Sequence, residues 1–247
     1  MTIYANLTEI FSSLQGEGPY TGKPMTFVRF AGCSLMCRWC DTEASSKVPV
    51  SYSVETPPRS RVFVDYLNPV PISKLNEHLS FFTDKFIYVT GGEPLEQAVF
   101  LASWLPLLRE KNKVLLETNG VFQNELESIV KLVDIISMDI KLPSSTSSRP
   151  LWDEHSAFLA KALKSGKETY IKVVLTSDTK DNDIQNAIKL ISTANKYIPV
   201  ILQPVSETLK FQNKIESERI DSFARLFRSW LPNVSVMKQM HKEWGVY

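Results

Sequence analysis

The three cysteines of this chain are its most informative residues. They stand at positions 33, 37 and 40 of a 247-residue sequence, with the spacing Cys-x3-Cys-x2-Cys. Thiolates are the soft ligands that zinc ions and iron–sulfur clusters prefer in proteins. Because every cysteine of the chain falls within these eight residues, a shared metal centre explains them better than three small buried side chains would.

The number of thiolates narrows the kind of metal centre. A structural zinc ion normally takes four protein ligands, but the sequence has no fourth cysteine, and its three histidines are distant, at positions 78, 155 and 241. On a four-iron cluster, three thiolates leave one iron free to bind an outside molecule. These residues therefore favour an open-site iron–sulfur cluster. A zinc- or cluster-binding structural module without catalytic activity stays as an alternative.

Composition excludes several other classes of protein. The 28 basic and 27 acidic residues leave a formal charge of +1, so we expect no direct nucleic-acid partner. The longest apolar stretch, 99–108, is ten residues, and a membrane span needs roughly 20. The N-terminal residues lack the pattern of a secretory signal, and three clustered cysteines do not suit a disulfide framework. We therefore expect a cytoplasmic protein with no membrane partner.

The order of the predicted elements is that of a βα protein. Short β-branched or aromatic runs alternate with helix-length segments along most of the chain, which is typical of parallel sheets. The predicted strands are 26–31, 86–89, 114–117, 135–138, 169–175, 200–202 and 234–237. The predicted helices are 71–82, 95–111, 123–132, 151–165, 181–196 and 216–230.

Chain length decides between an open sheet, a full barrel and a partial barrel. A full eight-unit barrel takes roughly 250 residues, but the first 25 residues precede the first unit and an irregular insertion takes up about 43–70. The sequence therefore predicts an α/β fold, an incomplete TIM-type βα barrel with about six parallel strands, in one domain over residues 1–247. Aromatic and β-branched residues at 52–54 and 62–66 suggest a hairpin inside the insertion.

Polar residues follow the predicted strands at the points where those strands end. In parallel βα folds, the loops at the carboxyl ends of the strands meet on one rim. We therefore expect a common cavity there, formed by segments 32–42, 90–94 and 117–120 together with Asp139, Lys141 and Gln203. The segment Gly91-Gly92-Glu93-Pro94 alone also fits an ordinary turn into a helix, with proline at the first helical position.

The cysteine spacing and the Gly-Gly-Glu-Pro segment together resemble the radical S-adenosylmethionine superfamily. In that superfamily the cysteines follow the first strand and the Gly-Gly-Glu-Pro segment follows the second, as they do here. The resemblance implies a [4Fe-4S] cluster whose free iron binds S-adenosylmethionine, and a 5'-deoxyadenosyl radical that abstracts hydrogen from the substrate.

A narrower resemblance covers most of the chain outside the insertion. The segments 14–18, 21–22, 27–29, 40–42, 202–204 and 239–242 are similar to those of the 7-carboxy-7-deazaguanine synthases. That family implies a lyase that converts 6-carboxy-5,6,7,8-tetrahydropterin to 7-carboxy-7-deazaguanine with loss of ammonia, in queuosine biosynthesis. It also implies Mg²⁺, regeneration of S-adenosylmethionine, a flavodoxin-like or other reductant, and a homodimer.

The resemblance also implies roles for individual residues. The metal ligands would be Cys33, Cys37 and Cys40 for the [4Fe-4S] cluster and Thr42 for Mg²⁺. The S-adenosylmethionine site would include Trp39, Asp41, Gly92, Glu93, Ser137, Met138, Asp139, Lys141 and Gln203. The pterin site would include Leu14, Gln15, Gly16, Glu17, Arg29, Thr90 and Tyr247.

Two of these roles make chemical sense from the side chains themselves. The guanidinium of Arg29 can form bidentate hydrogen bonds with the substrate carboxylate. The carboxylate of Glu17 could accept hydrogen bonds from the amino-pyrimidinone edge of a pterin. A second branch of the superfamily, the glycyl-radical activating enzymes, stays as an alternative because segments 117–120 and 137–141 suit it as well. That alternative predicts a protein partner.

Overall fold

A computed structural model describes residues 2–207, 211–212 and 214–246. Within them, ten strands form one sheet and two short strands form a separate pair. The strands are β1 (Tyr4–Ala5), β2 (Leu7–Leu14), β3 (Pro24–Phe30), β4 (Ser51–Glu55), β5 (Phe63–Leu67), β6 (Val70–Pro71), β7 (Phe86–Gly91), β8 (Lys113–Thr118), β9 (Ile135–Asp139), β10 (Glu168–Leu175), β11 (Val200–Pro204) and β12 (Val234–Val236).

Most helices follow a strand and cover the outer face of the sheet. The helices of the described residues are α1 (Ile72–Leu79), α2 (Ala98–Trp104), α3 (Gln123–Ile129), α4 (Pro143–Thr146), α5 (Trp152–Lys164), α6 (Asp181–Asn195), α7 (Ser217–Arg228) and α8 (Met240–Trp244). None of these helices combines the length and the apolar character needed to cross a membrane.

The sheet has the order β12-β11-β10-β9-β8-β7-β3-β2-β4-β5. The seven strands from β3 to β12 in this order pair in parallel. In the described part of the chain, β12 and β5 end the order and do not pair with each other, so the barrel is incomplete. The predicted α/β fold is confirmed: each of the seven predicted strands, including 234–237, corresponds to one of these parallel strands, so the sheet has one more than the expected number of about six.

Successive side chains of a strand point to opposite faces of the sheet, so each face has its own packed layer. Outward residues such as Val28, Leu116 and Val173 pack with helix residues such as Trp104 and Phe158 in a large outer core. Inward residues form a smaller core on the concave face of the sheet. Its buried members are Phe11, Met25, Phe27, Tyr88, Leu115, Ile135, Tyr170 and Ile201.

The inner face changes from apolar to polar toward the carboxyl ends of the strands. Two residues beyond four members of the inner core, the same face carries polar side chains. These are Thr90 after Tyr88, Glu117 after Leu115, Lys172 after Tyr170 and Gln203 after Ile201. Because side chains two apart in a strand share a face, the inner core lies directly below these polar groups.

Two regions are more regular than the sequence predicted. The first 25 residues were expected to precede the first unit, but β2 lies there and pairs antiparallel with β3. The insertion contains the expected hairpin, β4 and β5, in which Tyr52 faces Tyr66. Strand β4 also pairs with β2, so the insertion extends the main sheet and is not irregular throughout.

The predicted helix 95–111 was wrong in its length. The structure has a 3-10 turn at Pro94–Gln97, the helix α2, and another 3-10 turn at Leu105–Leu107. Pro106 explains the early end, because proline cannot donate the backbone hydrogen bond that continues an α-helix. The helices α4 and α8 were not predicted. Both are short, with four and five residues.

Two glycines at the end of β7 allow the backbone to approach the start of the cysteine loop, which we define as residues 32–42. Gly91 has φ +116°, and a Cβ added there would lie 2.2 Å from the carbonyl oxygen of Phe30. The amide of Gly92 donates to that oxygen at 2.7 Å, and the amide of Glu93 donates to the oxygen of Gly32 at 2.7 Å. Larger residues would push the cysteine loop away from β7.

This contact predicts a large effect of Gly91→Ala on stability. We expect it to lower the free energy of unfolding by roughly 3 kcal/mol or more, because backbone strain and overpacking add together. Gly22→Ala is the matched control, since Gly22 also has a positive φ, +84°, but open space around it. It should cost only about 1–2 kcal/mol. Urea denaturation measures both, and equal losses would contradict the close approach.

Candidate functional site

A cavity of about 250 Å³ lies at the carboxyl ends of the parallel strands. Its wall combines strand ends, the cysteine loop, the segment after β2 and the C-terminal segment. All three cysteines line it. The other predicted site residues that line it are Leu14, Gln15, Gly16, Glu17, Arg29, Trp39, Asp41, Thr42, Thr90, Gly92, Asp139, Lys141 and Gln203.

Backbone hydrogen bonds hold the cysteine loop at the cavity. The amide of Gly32 donates to the oxygen of Ser45 at 2.8 Å, and the amide of Cys33 donates to the oxygen of Ser46 at 3.1 Å. A turn between Cys37 and Cys40 is closed by a backbone hydrogen bond of 3.1 Å. The three thiols are half-buried, and burial raises the pKa of Cys33 and Cys37. The loop thus presents three thiols to one enclosed space.

A buried lysine joins the acidic groups of the cavity. The Nζ atom of Lys172 lies 2.6 Å from Oε2 of Glu17 and 3.4 Å from Oδ1 of Asp139, and it also contacts Oε1 of Glu117. Although burial opposes the charge on Lys172, these carboxylates raise its pKa well above the ordinary value. Burial would also raise the pKa of Glu117, but the charge of Lys172 outweighs it and lowers that pKa to about 2.

A second cation lies beside the cysteine loop. The Nζ atom of Lys141 lies 2.6 Å from Oδ2 of Asp139 and 4.7 Å from the centre of the Trp39 ring. This ammonium therefore balances a carboxylate and packs over an aromatic face at the same time, an arrangement that stabilises a cation. Ion pairs therefore line the cavity beside the thiols and at the ends of β8 and β9.

The C-terminal segment, residues 239–242, closes one side of the cavity. The Nε2 atom of Gln239 donates to Glu17 and to Asp41, both at 2.7 Å. The amide of Met240 donates to the oxygen of Gly16 at 2.9 Å, and a Cβ at Gly16 would lie only 2.3 Å from His241. This segment therefore connects residues 16–17, which follow β2, with the cysteine loop.

Arg29 and Gln15 are held by neighbours within the protein. The Nη1 atom of Arg29 lies 3.1 Å from a carboxylate oxygen of Glu9, and its guanidinium lies over the ring of Phe11. The Oε1 atom of Gln15 accepts a hydrogen bond from the amide of Glu17 at 3.0 Å. These contacts fix both side chains at the cavity edge before any ligand binds.

Several polar atoms of the cavity residues are ready to bind a polar ligand. Buried polar atoms usually have a hydrogen-bond partner. Five of them on residues that line the cavity have no hydrogen-bond partner among the described residues: Gln15 Nε2, Trp39 Nε1, Asn119 Nδ2, Asp139 Oδ1 and Gln203 Oε1. With three donors and two acceptors around it, the cavity suits a ligand rich in heteroatoms. This observation fits S-adenosylmethionine and a pterin better than an apolar compound.

Glu93 does not face the cavity, although the sequence predicted a contact with the cofactor. Its side chain is fully buried. Its Oε1 accepts hydrogen bonds from the amide of Leu95 and the hydroxyl of Thr118, at 3.0 and 2.9 Å, and its Oε2 accepts from the amide of Asn119 at 2.7 Å. The carboxylate therefore ties the loop after β7 to the end of β8, which is a structural role.

Two other predicted residues, Met138 and Ser137, also lie away from the cavity wall. The side chain of Met138 packs in the outer core, because its position on β9 points toward the helices, so any cofactor contact is limited to its backbone. Ser137 is buried two residues below Asp139 on the inner face. Tyr247 lies outside the described residues.

Sequence reasoning missed Lys172 as a site residue. It lies within β10, in the otherwise apolar or aromatic run 170–175. A lysine on a central strand is rarely buried without a partner, so the signal was present. Glu117 and Gln239 were noticed as parts of motifs, but they received no role. Their contacts join chain segments far apart in sequence.

The structural role of Glu93 predicts a stability effect of Glu93→Gln. A glutamine offers one acceptor oxygen, and its amide group would face a backbone donor, so we expect a loss of roughly 2 kcal/mol or more in the free energy of unfolding. Glu96→Gln is the control, because Glu96 is exposed and accepts one hydrogen bond, from the amide of Ser34. It should cost less than about 0.5 kcal/mol. Similar losses of unfolding free energy for the two variants in urea denaturation would contradict the structural role of Glu93.

Comparisons with known proteins agree with this geometry. The chain matches the Radical SAM superfamily over residues 27–191. It is 38% identical to the 7-carboxy-7-deazaguanine synthase of Geobacter sulfurreducens, over 98% of this chain and 97% of the relative. It is 31% identical to the synthase of the same name from Methanopyrus kandleri, over 96% of this chain and 92% of the relative.

The fold is also that of a solved structure, QueE from Escherichia coli. That match has a TM-score of 0.62 and 22% sequence identity, and it covers 95% of this chain and 94% of the other. With the three-cysteine loop at the strand-end cavity and the near full-length similarity, the chain belongs to the radical SAM superfamily and, within it, to the 7-carboxy-7-deazaguanine synthase family.

Proposed function

We propose that this chain is a radical S-adenosylmethionine lyase that converts 6-carboxy-5,6,7,8-tetrahydropterin to 7-carboxy-7-deazaguanine with loss of ammonia. One observation carries the proposal. The three cysteines and the segment Leu14–Glu17, which are the two specific motifs of the family, line the same cavity. A substrate held by that segment would therefore lie beside a cofactor held by the cysteine loop.

The cavity residues suit both cofactors of the proposed enzyme. Cys33, Cys37 and Cys40 would hold three irons of a [4Fe-4S] cluster and leave the fourth open for S-adenosylmethionine. When bound, the cluster and S-adenosylmethionine supply a carbon-centred radical that removes hydrogen from the substrate. The unpartnered Nε1 of Trp39 and Oε1 of Gln203 would then make polar contacts with S-adenosylmethionine, and Gly92 lines the same cavity.

Charged and polar groups across the cavity suit the proposed substrate. Arg29 would bind its carboxylate, sharing the guanidinium with Glu9. Glu17 would accept hydrogen bonds from the pyrimidine ring, and the unpartnered Nε2 of Gln15 would donate to a ring carbonyl. These contacts would hold the substrate, with the carbon that loses hydrogen, inside the cavity that the thiols line.

We also propose that Thr42 is a ligand of a Mg²⁺ ion. A hydroxyl oxygen is a hard donor of the kind that Mg²⁺ prefers. Thr42 lines the cavity, and its Oγ1 lies 3.2 Å from Oδ1 of Asp41, so a carboxylate is close enough to support a cation there.

The proposal has three further parts. Residues 1–247 would act as one domain, since a single sheet includes strands from Leu7 to Val236. The enzyme would need an outside one-electron donor, such as a flavodoxin-like protein. It would form a homodimer, as the family resemblance implies. Light scattering of the purified protein tests this last part.

Product formation tests the proposed function. Protein with a reconstituted cluster should be incubated without oxygen with a reductant, S-adenosylmethionine, Mg²⁺ and the carboxylated tetrahydropterin. We expect mass spectrometry to detect 7-carboxy-7-deazaguanine at many turnovers per S-adenosylmethionine consumed, because the cofactor is regenerated. No deazapurine from protein with a full iron and sulfide load would overturn the proposal.

Two variants serve as controls for this experiment. Cys37→Ala should lose the iron–sulfur absorbance and the product while its circular dichroism stays unchanged, because the cysteine loop lies on the rim and not in a core. Ser34→Ala, at an exposed position of the same loop, should keep both. Stoichiometric loss of S-adenosylmethionine with a radical on an added protein would instead support the glycyl-radical activating alternative.

A further inference from the structure

Lys172 is the most enclosed charge of the cavity, yet the proposed chemistry assigns it no role. Only 6% of its side chain is exposed. It stands next to Asp139 in the register of β9 and β10, and two residues above Tyr170 on the inner face. The buried Tyr170 lies below it, so the ammonium is held among the groups of the cavity. The inference below rests on the proposed function and extends it.

Three carboxylates from separate parts of the chain meet at this one ammonium. Glu17 comes from the segment after β2, Glu117 from the end of β8 and Asp139 from the end of β9. An ammonium has three donor hydrogens. Glu17 and Glu117 accept hydrogen bonds from it, and Oδ1 of Asp139 lies 3.4 Å away as an ion-pair partner without a hydrogen bond. Two donors of Lys172 are therefore committed to Glu17 and Glu117, and the lysine acts on a substrate through these two carboxylates.

Glu17 and Glu117 keep acceptor capacity toward the cavity. Both line it, and 14% and 21% of their side chains are exposed. Glu17 is also bound by Gln239, and Glu117 accepts a hydrogen bond from Thr90 at 2.5 Å. A carboxylate has about four lone-pair sites. Each of the two therefore keeps lone pairs for a ligand after its protein contacts are made.

The two carboxylates depend on the lysine between them. Both bind the same nitrogen atom, so they lie close together. Without that cation, two like charges in a buried site would repel, and one would take up a proton or turn away. A protonated carboxyl donates a hydrogen bond where a carboxylate accepts one. Lys172 therefore decides whether the cavity presents acceptors or donors at this place.

We propose that Lys172 is a positioning residue that fixes Glu17 and Glu117 as paired acceptors for the N–H edge of the substrate's 2-amino-4-oxopyrimidine ring. That edge carries two neighbouring donors, the ring N–H and the exocyclic amino group, and paired carboxylates complement both. A site built to bind such donors rejects an analogue that lacks one, because a buried acceptor is then left unpaired. Lys172 thereby sets specificity for the amino group.

Ligand binding measured by calorimetry tests this inference apart from turnover. Two probes are needed: 7-carboxy-7-deazaguanine, which keeps the N–H edge, and its analogue without the 2-amino group. The wild-type protein should bind the first at least about 10-fold more tightly. Lys172→Met should weaken binding of the first at least about 10-fold and reduce the ratio between the two ligands toward one. Lys172→Arg should keep most of the preference, because it keeps the charge.

A matched control and kinetics separate positioning from general damage. Lys161 also forms an ion pair, at 2.6 Å with Glu127, but it does not line the cavity, so Lys161→Met should leave both affinities unchanged. In turnover, Lys172→Met should raise KM for the pterin more than it lowers kcat. If Lys172→Met does not fold, Lys172→Met with Glu117→Gln removes the repulsion, and that double variant should fold and still lose the preference for the amino group.

The outcomes distinguish two failures. If the wild-type protein binds neither probe and forms no deazapurine, the proposed function falls, and the inference falls with it. If the wild-type protein binds and prefers the amino group, but the folded Lys172→Met or double variant keeps the same preference, only the inference is overturned. Equal weakening of both probes would also overturn it, since a merely structural lysine has that effect.

Discussion

The candidate site depends on the close approach of two backbone segments at the end of β7. Gly91 and Gly92 have no side chains, so the amide of Gly92 reaches the oxygen of Phe30 and the amide of Glu93 reaches the oxygen of Gly32. This pairing continues the parallel contact of β3 and β7 into the cysteine loop. The loop is thereby fixed over the carboxyl ends of the strands, and its thiols share one cavity with the segment after β2.

The inner face of the sheet has an apolar part that supports the fold and a polar part that lines the cavity. Apolar and aromatic residues fill the lower positions, with the rings of Phe11 and Phe27 stacked at 4.8 Å, and polar residues occupy the positions above them. Burying charges there is costly unless they are paired. The structure meets this cost with two lysines: Lys141 pairs with Asp139, and Lys172 pairs with Glu17, Glu117 and Asp139. The polar groups of the cavity are thus rigid before a ligand enters.

The sequence predicted most of what depends on local patterns. Apolar runs located the parallel strands, and the rule that strand ends share a rim placed the cysteine loop, Thr90 and Asp139 together. Strand β2 was missed because Thr8, Glu9 and two serines interrupt its apolar residues. The sequence could not decide the role of Glu93, because a glutamate just before a helix can either cap that helix or contact a ligand. The Lys172 contacts depend on pairing between distant segments, which one sequence does not reveal.

The central claim is that three cysteines hold a four-iron cluster whose remaining iron faces the cavity. Electron paramagnetic resonance of the reconstituted, reduced protein tests it most directly, before and after addition of S-adenosylmethionine. We expect a [4Fe-4S]⁺ signal whose g values shift when the compound is added, because it binds the iron that no cysteine holds. A cluster signal that stays unchanged at saturating S-adenosylmethionine, or protein that holds zinc and no cluster after reconstitution, would contradict the account.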